Sequence, residues 1–351
     1  MENKRSIRRK SRAVTIDEVA ALAGVSPMTV SRVVNGHGNV RDSTRERVQE
    51  AVRELNYTPN LAASSLATAQ GTRVALIHSN PSAAYLSELL VGALRGSART
   101  AAQLVIDAWD DHDEAAERAA AQALARHVAG VILPPPLCES PIVTAELARA
   151  GVPVVAIGWG RLDTEMSRVR IDDFTAAREL VNHVISQGHR RIACIKGHPN
   201  QTASARRFEG YRAALATAGL EPDPQLVQQG YFTYRSGLEA AEALLSLPQP
   251  PTAIFACNDD MAAAVVSVAH RRGLHVPQDL SVVGFDDSSA ATTVWPELTT
   301  IRQPIAAMAD AALDILLRRI RPRGGKSPRR VDQVLAHELV QRDSVAPPAG
   351  G

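Results

Sequence analysis

Apolar residues follow two different rhythms along this chain. From Ile16 to Leu55 they recur every three or four positions, as on one face of a helix: Ile16, Val19, Ala20 and Ala23; then Val30, Val33 and Val34; then Val48, Ala51, Val52 and Leu55. From about Gly71 short apolar runs take over, at Val74–Ile77, Leu104–Ile106, Val131–Leu133, Val152–Ile157, Ile192–Ile195, Ala253–Ala256 and Leu280–Phe285. Alanine-rich amphipathic stretches separate them: Tyr85–Thr100, Asp113–Arg126, Thr175–Gln187, Ala203–Ala218, Ser236–Leu247 and Asp259–Arg272. The first rhythm predicts three short helices in a small bundle. The second predicts parallel sheets covered by helices on both faces. About nine strands in some 275 residues are many for one sheet, so two lobes are expected. The chain closes with a predicted helix over 305–320, a loop Arg321–Arg330, a strand-like Val331–Val340 and a Pro/Gly-rich end.

Local signals sharpen the first rhythm. Thr15 with Glu18 three residues on is a capping box, and Gly24 is placed to end the helix in a left-handed conformation. Ser26-Pro27 restarts it, with serine as N-cap and proline at the first helical position. Ser43 and Glu46 form a second capping box, expected to open the third helix. Pro59 ends that helical run, because proline disfavours a helical residue before it. In the second helix Met28, Ser31, Arg32 and Asn35 lie opposite the valines. An arginine among short polar groups suits guanine edges and phosphates, and a helix-turn-helix sets such a face into a DNA major groove. The pattern alone also fits an ordinary solvated helical hairpin.

Charge favours a polyanionic partner. The net charge is only +2, yet residues 1–70 hold 11 Lys/Arg against 7 Asp/Glu, leaving −2 on the rest. Lys4, Arg5, Arg8, Arg9, Lys10 and Arg12 form a basic arm beside the hairpin. The three cysteines, Cys138, Cys194 and Cys257, are far apart, which speaks against a disulfide framework or zinc site and fits a reducing compartment. No apolar segment follows the basic start, and no run of about 18 apolar residues suggests a membrane span. A cytoplasmic protein without cofactor is expected. No P-loop, GxGxxG, nucleophile elbow or metal pair is present.

The segments VTIDEVAALAGVSPMTVSRVVN and VRDSTRERVQEAVRELNYTPN, followed by a segment ending in Leu66, resemble the headpiece of the lac repressor family. That resemblance implies that Thr15, Ser26, Thr29, Ser31, Thr44, Tyr57 and Asn60 hold phosphates or flank the groove, with Asn35 and Ala63 also at the DNA. It implies that Pro27, Met28 and Arg32 read base edges. Residues 60–66 become a hinge helix that folds on DNA, with Leu66 wedged into a minor-groove step. Pro27 and Met28 stand where members often carry larger polar groups, and Ser64 where many have arginine.

In folds with parallel strands, ligands bind beyond the carboxyl ends of the strands. There this chain places Arg206-Arg207, Asn258-Asp259-Asp260, Asp286-Asp287 and Gly158-Trp159-Gly160, donors and acceptors suited to a ligand rich in hydroxyls. Asp259 and Asp287 read equally as helix caps. The order VRID, GHRRI, SARRFEGY, FACND, SVVGFDD, PELTTIRQP again resembles the lac repressor family and the periplasmic sugar-binding proteins. In those terms Arg207, Asn258 and Asp286 bind the effector and Phe232 stacks on it. Asp172 either contacts ligand or links the lobes. Gly158 stands where sugar-responsive members can have aspartate.

The expected fold is therefore an α-helical helix-turn-helix headpiece joined to an α/β, two-lobed, periplasmic-binding-protein-like effector domain. The expected layout is a basic arm (1–13), headpiece (14–59), hinge helix and linker (60–71), effector and dimerisation domain (72–344) and tail (345–351). Lobe 1 would comprise about 72–170 and 302–330, and lobe 2 about 171–301 and 331–344. The expected function is a transcriptional repressor that binds a pseudo-palindromic double-stranded operator as a homodimer, without membrane contact, under control of a sugar or sugar derivative. The rival is a solute-binding or enzymatic protein on the same two-lobed fold. Arg318, Arg319, Arg321, Arg323, Arg329 and Arg330 read as a solvated face or as a second DNA site.

Overall fold

A computed structural model describes residues 16–34, 40–55, 72–79, 82–109, 113–159, 166–321 and 329–348. The chain divides into two compact units, 1–71 and 72–351. The basic arm, the hinge segment and much of the arginine-rich loop after 321 lie outside the described residues.

The first unit is built from α1 (Ile16–Ala23), α2 (Pro27–Val34) and α3 (Asp42–Glu54). Gly24 has φ +63° and Val25 N–H reaches back to Ala20 O (3.0 Å), so the first helix ends in a left-handed turn as the sequence predicts. Thr29 N–H donates to Ser26 Oγ (3.2 Å), which caps α2. Val19, Ala20, Ala23, Val30, Val33, Val48 and Ala51 form the core, with Val52 and Leu55 packed against it. The Ser43–Glu46 box does not open α3. The helix starts two residues earlier, Arg41 is its N-cap without a side-chain bond, and Asp42 sits in the first turn. Once inside the helix, Ser43 cannot cap it; Asp42 complements the positive end of the helix dipole instead.

The second unit holds three sheets. The first contains β1 (Arg73–His78), β2 (Gln103–Ala108), β3 (Gly130–Leu133), β4 (Val154–Ile157), β5 (Ser167–Arg170) and, near the end of the chain, Asp332–Val334. The second contains β6 (Ile192–Lys196), β7 (Val227–Gln229), β8 (Ala253–Ala256) and β9 (Ser281–Val283). All pairings in both are parallel. β10 (Thr300–Arg302) pairs antiparallel with Glu338–Val340 where the chain crosses between lobes. The central strands are buried on both faces, which is why they read as continuous apolar runs.

Helices fill the connections: α4 (Ala83–Thr100), α5 (Glu114–Ala125) and α6 (Pro141–Arg149) in the first lobe, and α7 (Asp173–Ser186), α8 (Thr202–Thr217), α9 (Tyr234–Leu245), α10 (Asp259–Arg271) and α11 (Ser289–Thr293) in the second. The chain then returns to the first lobe as α12 (Ile305–Ile320), which packs on α4 and on the strands of the first sheet. The approach to α4 is so close that a Cβ on Gly92 would lie 1.9 Å from Ala306 O.

One lobe boundary differs from the expectation. The stretch Val331–Val340 is not one strand of lobe 2. It is β11 (Asp332–Val334), on the edge of the first sheet, and β12 (Glu338–Val340), beside β10. Asp332 holds β11 to β5 through Arg168 and through Arg170 Nε (3.0 Å).

Candidate functional site

In the first unit, the valines on the inner side of α2 fix which side faces out. Val30 and Val33 are buried, while Met28 on the other side is 66% exposed. Ser26 and Pro27 are also exposed, and Thr29 and Thr44 are half-buried. Ser31 and Arg32 lie on α2, but their side chains are outside the described residues, as are Thr15, Asn35, Tyr57, Asn60, Ala63 and Leu66. An exposed, polar second helix braced by α1 and α3 is the arrangement that enters a major groove.

In the second unit, four of the five residues marked in the sequence meet in one cavity. Arg207 on α8, Phe232 after β7, Asn258 after β8 and Asp286 after β9 line it, together with Asp173, Gln201, Gln303, Tyr85 and Gly158. Both lobes therefore contribute. Asp172 is not among the lining residues. It is the N-cap of α7, accepting Thr175 N–H (3.2 Å) and Thr175 Oγ1–H (2.8 Å). The carboxylate that lines the cavity is that of its neighbour, Asp173.

Arg207 is the centre of the site. Its Nε donates to Asp173 Oδ1 (2.9 Å) and its Nη1 to Cys257 O (2.6 Å), while Asp286 Oδ1 lies 3.7 Å from Nη1. The guanidinium lies 3.7 Å from the Phe285 ring centroid and 5.7 Å from that of Phe232. Burial works against the Arg207 charge, but Asp173 and Asp286 more than offset it and hold the pKa above its ordinary value. Trp159, after β4, donates its indole N–H to Asp173 Oδ2 (2.8 Å), so Asp173 is bonded from both lobes.

Asp286 is under opposite influences. Burial pushes its pKa up to about 7, against the pull of Arg207 and of the Gln303 hydrogen bond to Oδ1 (2.6 Å). Its backbone has φ +117°, followed by Asp287 at +55°, and Phe232 has +60°. Such conformations cost non-glycine residues of order 1–3 kcal/mol each and gather at functional sites. Here the cost is held by the hinge strand: Asp286 N–H donates to Ile301 O (2.8 Å) and Gln303 N–H to Asp286 O (3.2 Å). Asp287 is gripped by Arg302 Nε (2.7 Å) and Arg342 Nη2 (2.7 Å), and it is not a helix cap, since Ser288 stands at the N-cap of α11. Asp259 is not a cap either. Asn258 caps α10 through Met261 N–H (3.0 Å), and Asp259 accepts Thr300 Oγ1–H and Ser288 N–H (2.7 Å each).

The cavity thus offers one cation, two carboxylates, three amide side chains and an aromatic face. With two carboxylates to one guanidinium it disfavours phosphates and carboxylates and suits a neutral ligand with many hydroxyls. Its volume is about 40 Å³, far below the roughly 300–1,000 Å³ of ligand sites, so the lobes must part for a sugar to enter. Among the described residues no cluster of His, Cys, Asp and Glu is spaced to hold a metal ion, and no helix is long and apolar enough to cross a membrane. Sequence reasoning missed Asp173, Gln201 and Gln303. Asp173 directly follows the marked Asp172 and Gln303 follows the end of β10, so only the turn geometry selects which neighbour faces in, whereas Gln201 stands at the N-cap of α8, five residues beyond β6.

Residues 15–60 match the bacterial regulatory proteins of the lacI family, and 181–345 match the periplasmic binding protein-like domain. The HTH-type transcriptional regulator CelR of Thermobifida fusca is 36% identical over 342 residues, covering 95% of this chain and 99% of its own. The structure of a transcriptional regulator CelR–cellobiose complex superposes with a TM-score of 0.73 at 35% identity, covering 94% of this chain and 99% of its own. The lac repressor dimer bound to operator and the anti-inducer ONPF superposes with a TM-score of 0.71 at 29% identity, covering 95% and 100%. With identity of this level sustained over nearly the whole length, the chain belongs to the lacI family of bacterial regulatory proteins.

Proposed function

We propose that this protein is a cytoplasmic transcriptional repressor that binds a pseudo-palindromic operator as a homodimer and is controlled by a neutral sugar held between its lobes. The observation that carries the effector assignment is Arg207, buried between Asp173 and Asp286 with Phe232 and Phe285 against it. Fixed donors and acceptors around an aromatic face hold a polyhydroxylated ring well, and the excess of carboxylate turns away anionic metabolites. The cellobiose complex of the related CelR supports the same ligand class. Arg207, Phe232, Asn258, Asp286, Asp173 and Gln303 are the binding residues in this reading. Ser26, Pro27, Met28, Thr29, Ser31, Arg32 and Thr44 meet the operator, with Leu66 at its centre. The sugar acts by favouring one arrangement of the lobes over the other, and only that difference in affinity can alter DNA binding.

The test combines a mobility shift on the DNA upstream of the gene with a thermal-shift screen of neutral sugars. A specific shifted band, altered by the sugar that stabilises the protein, is the expected result. Equal affinity for random DNA, or no sugar response, defeats the corresponding half of the proposal.

A further inference from the structure

The second unit begins at an edge rich in arginine. The chain enters it at Thr72, directly before β1, so the entry lies at the amino edge of the first sheet. Arg321, the C-cap of α12, donates from Nη2 to Thr72 Oγ1. Ten residues later Val331 leads into β11, its N–H on Ser167 Oγ (3.1 Å) and its carbonyl accepting Arg168 N–H (2.8 Å). β1 and β11 stand four places apart in the strand order, about 19 Å at the usual strand spacing. All strands of this sheet run parallel, so both anchors lie on the same edge. The stretch between them is therefore tied to the amino edge at each end, and residues 318–330 hold seven Lys/Arg and no Asp/Glu.

The charge on this edge is uncompensated. Arg73, Arg318, Arg321 and Arg329 are all exposed, and among the described residues none of the four is paired with a carboxylate. Other arginines of the same lobe are paired: Arg99 with Asp310 (2.7 Å) and Asp314 (2.9 Å), and Arg149 with Glu146 (2.5 Å). Arg318 sits in the last turn of α12, where a cation complements the helix dipole. That accounts for neither Arg73, which is on a strand, nor Arg329, which stands beside β11. Residues 71–351 sum to −2, so the positive charge is local to the edge. Guanidinium groups without counter-charges repel one another and gain from a polyanion, and their planar forks match phosphate oxygens.

Connectivity supplies the polyanion. Thr72 follows Leu66 by six residues, which extend over at most about 20 Å. In the proposed function Leu66 enters the minor groove at the operator centre, so the edge around Thr72 is held within that distance of the groove. We propose that the amino edge of the first sheet, through Arg73, Arg318, Arg321 and Arg329, is a second DNA surface that takes backbone phosphates near the operator centre without reading bases. The proposal rests on the DNA reading of the headpiece. It gives the effector domain itself a share of the affinity, in the electrostatic part that carries no sequence information.

Fluorescence anisotropy of the full chain tests this, on the DNA upstream of the gene and on a scrambled duplex of equal length, across about 50–200 mM salt. Arg318→Gln/Arg321→Gln/Arg329→Gln should flatten the slope of log K against log salt by about 2 or more, since each phosphate contact contributes about 0.9 and a dimer presents two edges. Affinity for both duplexes should fall together, about tenfold or more near 100 mM salt, with their ratio kept within about twofold. Arg318→Gln/Arg329→Gln keeps the Arg321–Thr72 bond and reports if the triple variant fails to fold. Arg235→Gln, at an exposed position on α9 of the other lobe, should leave the slope unchanged. If the parent prefers the upstream DNA but the edge variants keep its slope, or Arg235→Gln flattens it as much, the edge surface is refuted and the headpiece reading survives. A loss confined to the upstream DNA also refutes it, because phosphates carry no base preference. If the parent binds both duplexes equally, the headpiece reading falls and takes the edge surface with it.

Discussion

Replacing Asp286 with asparagine isolates the titrating group of the cavity. Asparagine keeps the shape, keeps an acceptor for Gln303 Nε2 and tolerates positive φ, so the +117° backbone is not the variable. What changes is the charge. In the folded chain the Asp286 pKa stands at about 7, against 3.8 as its ordinary value. Between those values the folded state holds a proton that the unfolded state has lost, so stability must fall as pH rises through that window and level off above about 7. From pH 5 to pH 8 the loss is on the order of 2–3 kcal/mol, or several degrees in melting temperature for a unit of this size. Asp286→Asn should lack that descent. It should match the parent within about 1 kcal/mol near pH 5 and exceed it near pH 8, although Arg207 then keeps only Asp173 as a charged partner. Urea melts at constant ionic strength, followed by tryptophan fluorescence across pH 5–8.5, measure both curves. The buried Asp259 titrates in the same direction and is itself pushed up by the Asp286 charge, so the difference between the two proteins reports the two carboxylates together. Parallel profiles from pH 5 to 8 would show that the burial of this carboxylate does not set its charge.

Three further outcomes rest on the same geometry. Arg207→Ala leaves Asp173 and Asp286 buried without their cation and should destabilise the second unit by about 3–5 kcal/mol while abolishing the sugar-induced thermal shift; retention of the shift would place the ligand elsewhere. Gly197→Ala would set a Cβ 1.9 Å from the Phe232 ring, so the ring must leave its seat, and calorimetry should show sugar affinity reduced about tenfold or more with far-ultraviolet dichroism unchanged. Arg32→Ala should cost roughly 1–3 kcal/mol of discrimination at one operator base pair in competition mobility shifts, with little change in non-specific affinity.

The elements that could be read from the sequence are those in which one physical effect dominates. β3, β4 and β8 are buried on both faces, and a continuous apolar run leaves them no other stable placement. Gly24 and the valines of α2 are fixed by a backbone conformation and a helical face, both of which are local. β5 was not legible as a strand because Arg168 and Arg170 occupy alternate positions, and their reason for being there, Asp332, is far away in the chain. The same distance hides the division of Val331–Val340, whose apolar alternation runs on while the chain leaves one sheet and joins another. Asp172 and Asp173 differ only in where the turn before α7 directs them. With φ −91° and ψ 87° at Asp172, its carboxylate folds back on Thr175 and the next residue takes Arg207. Periodicity cannot separate adjacent residues of the same type at a helix start. Gln303 was legible only as part of a crossover, since a glutamine carries no signal for which carboxylate it meets.

The crossover explains why these groups act together. Two consecutive residues at positive φ are costly, and no local feature of the Asp286-Asp287 loop stabilises them. The stabilisation comes from β10 and its continuation, where Arg302 takes Asp287 and Gln303 takes Asp286 by side chain and backbone. Arg302 is tied in turn to Glu338 on β12 (2.6 Å), the other strand that crosses between the lobes. The carboxylate that the proposed function assigns to the ligand is thus clamped by the paired strands β10 and β12. A ligand that strengthens or replaces the Asp286–Gln303 contact changes the free energy of the hinge directly, without a relay through either core. In the proposed function, an effector-driven change requires different affinity for two lobe arrangements, and the junction of the second sheet with β10 is where that difference would arise.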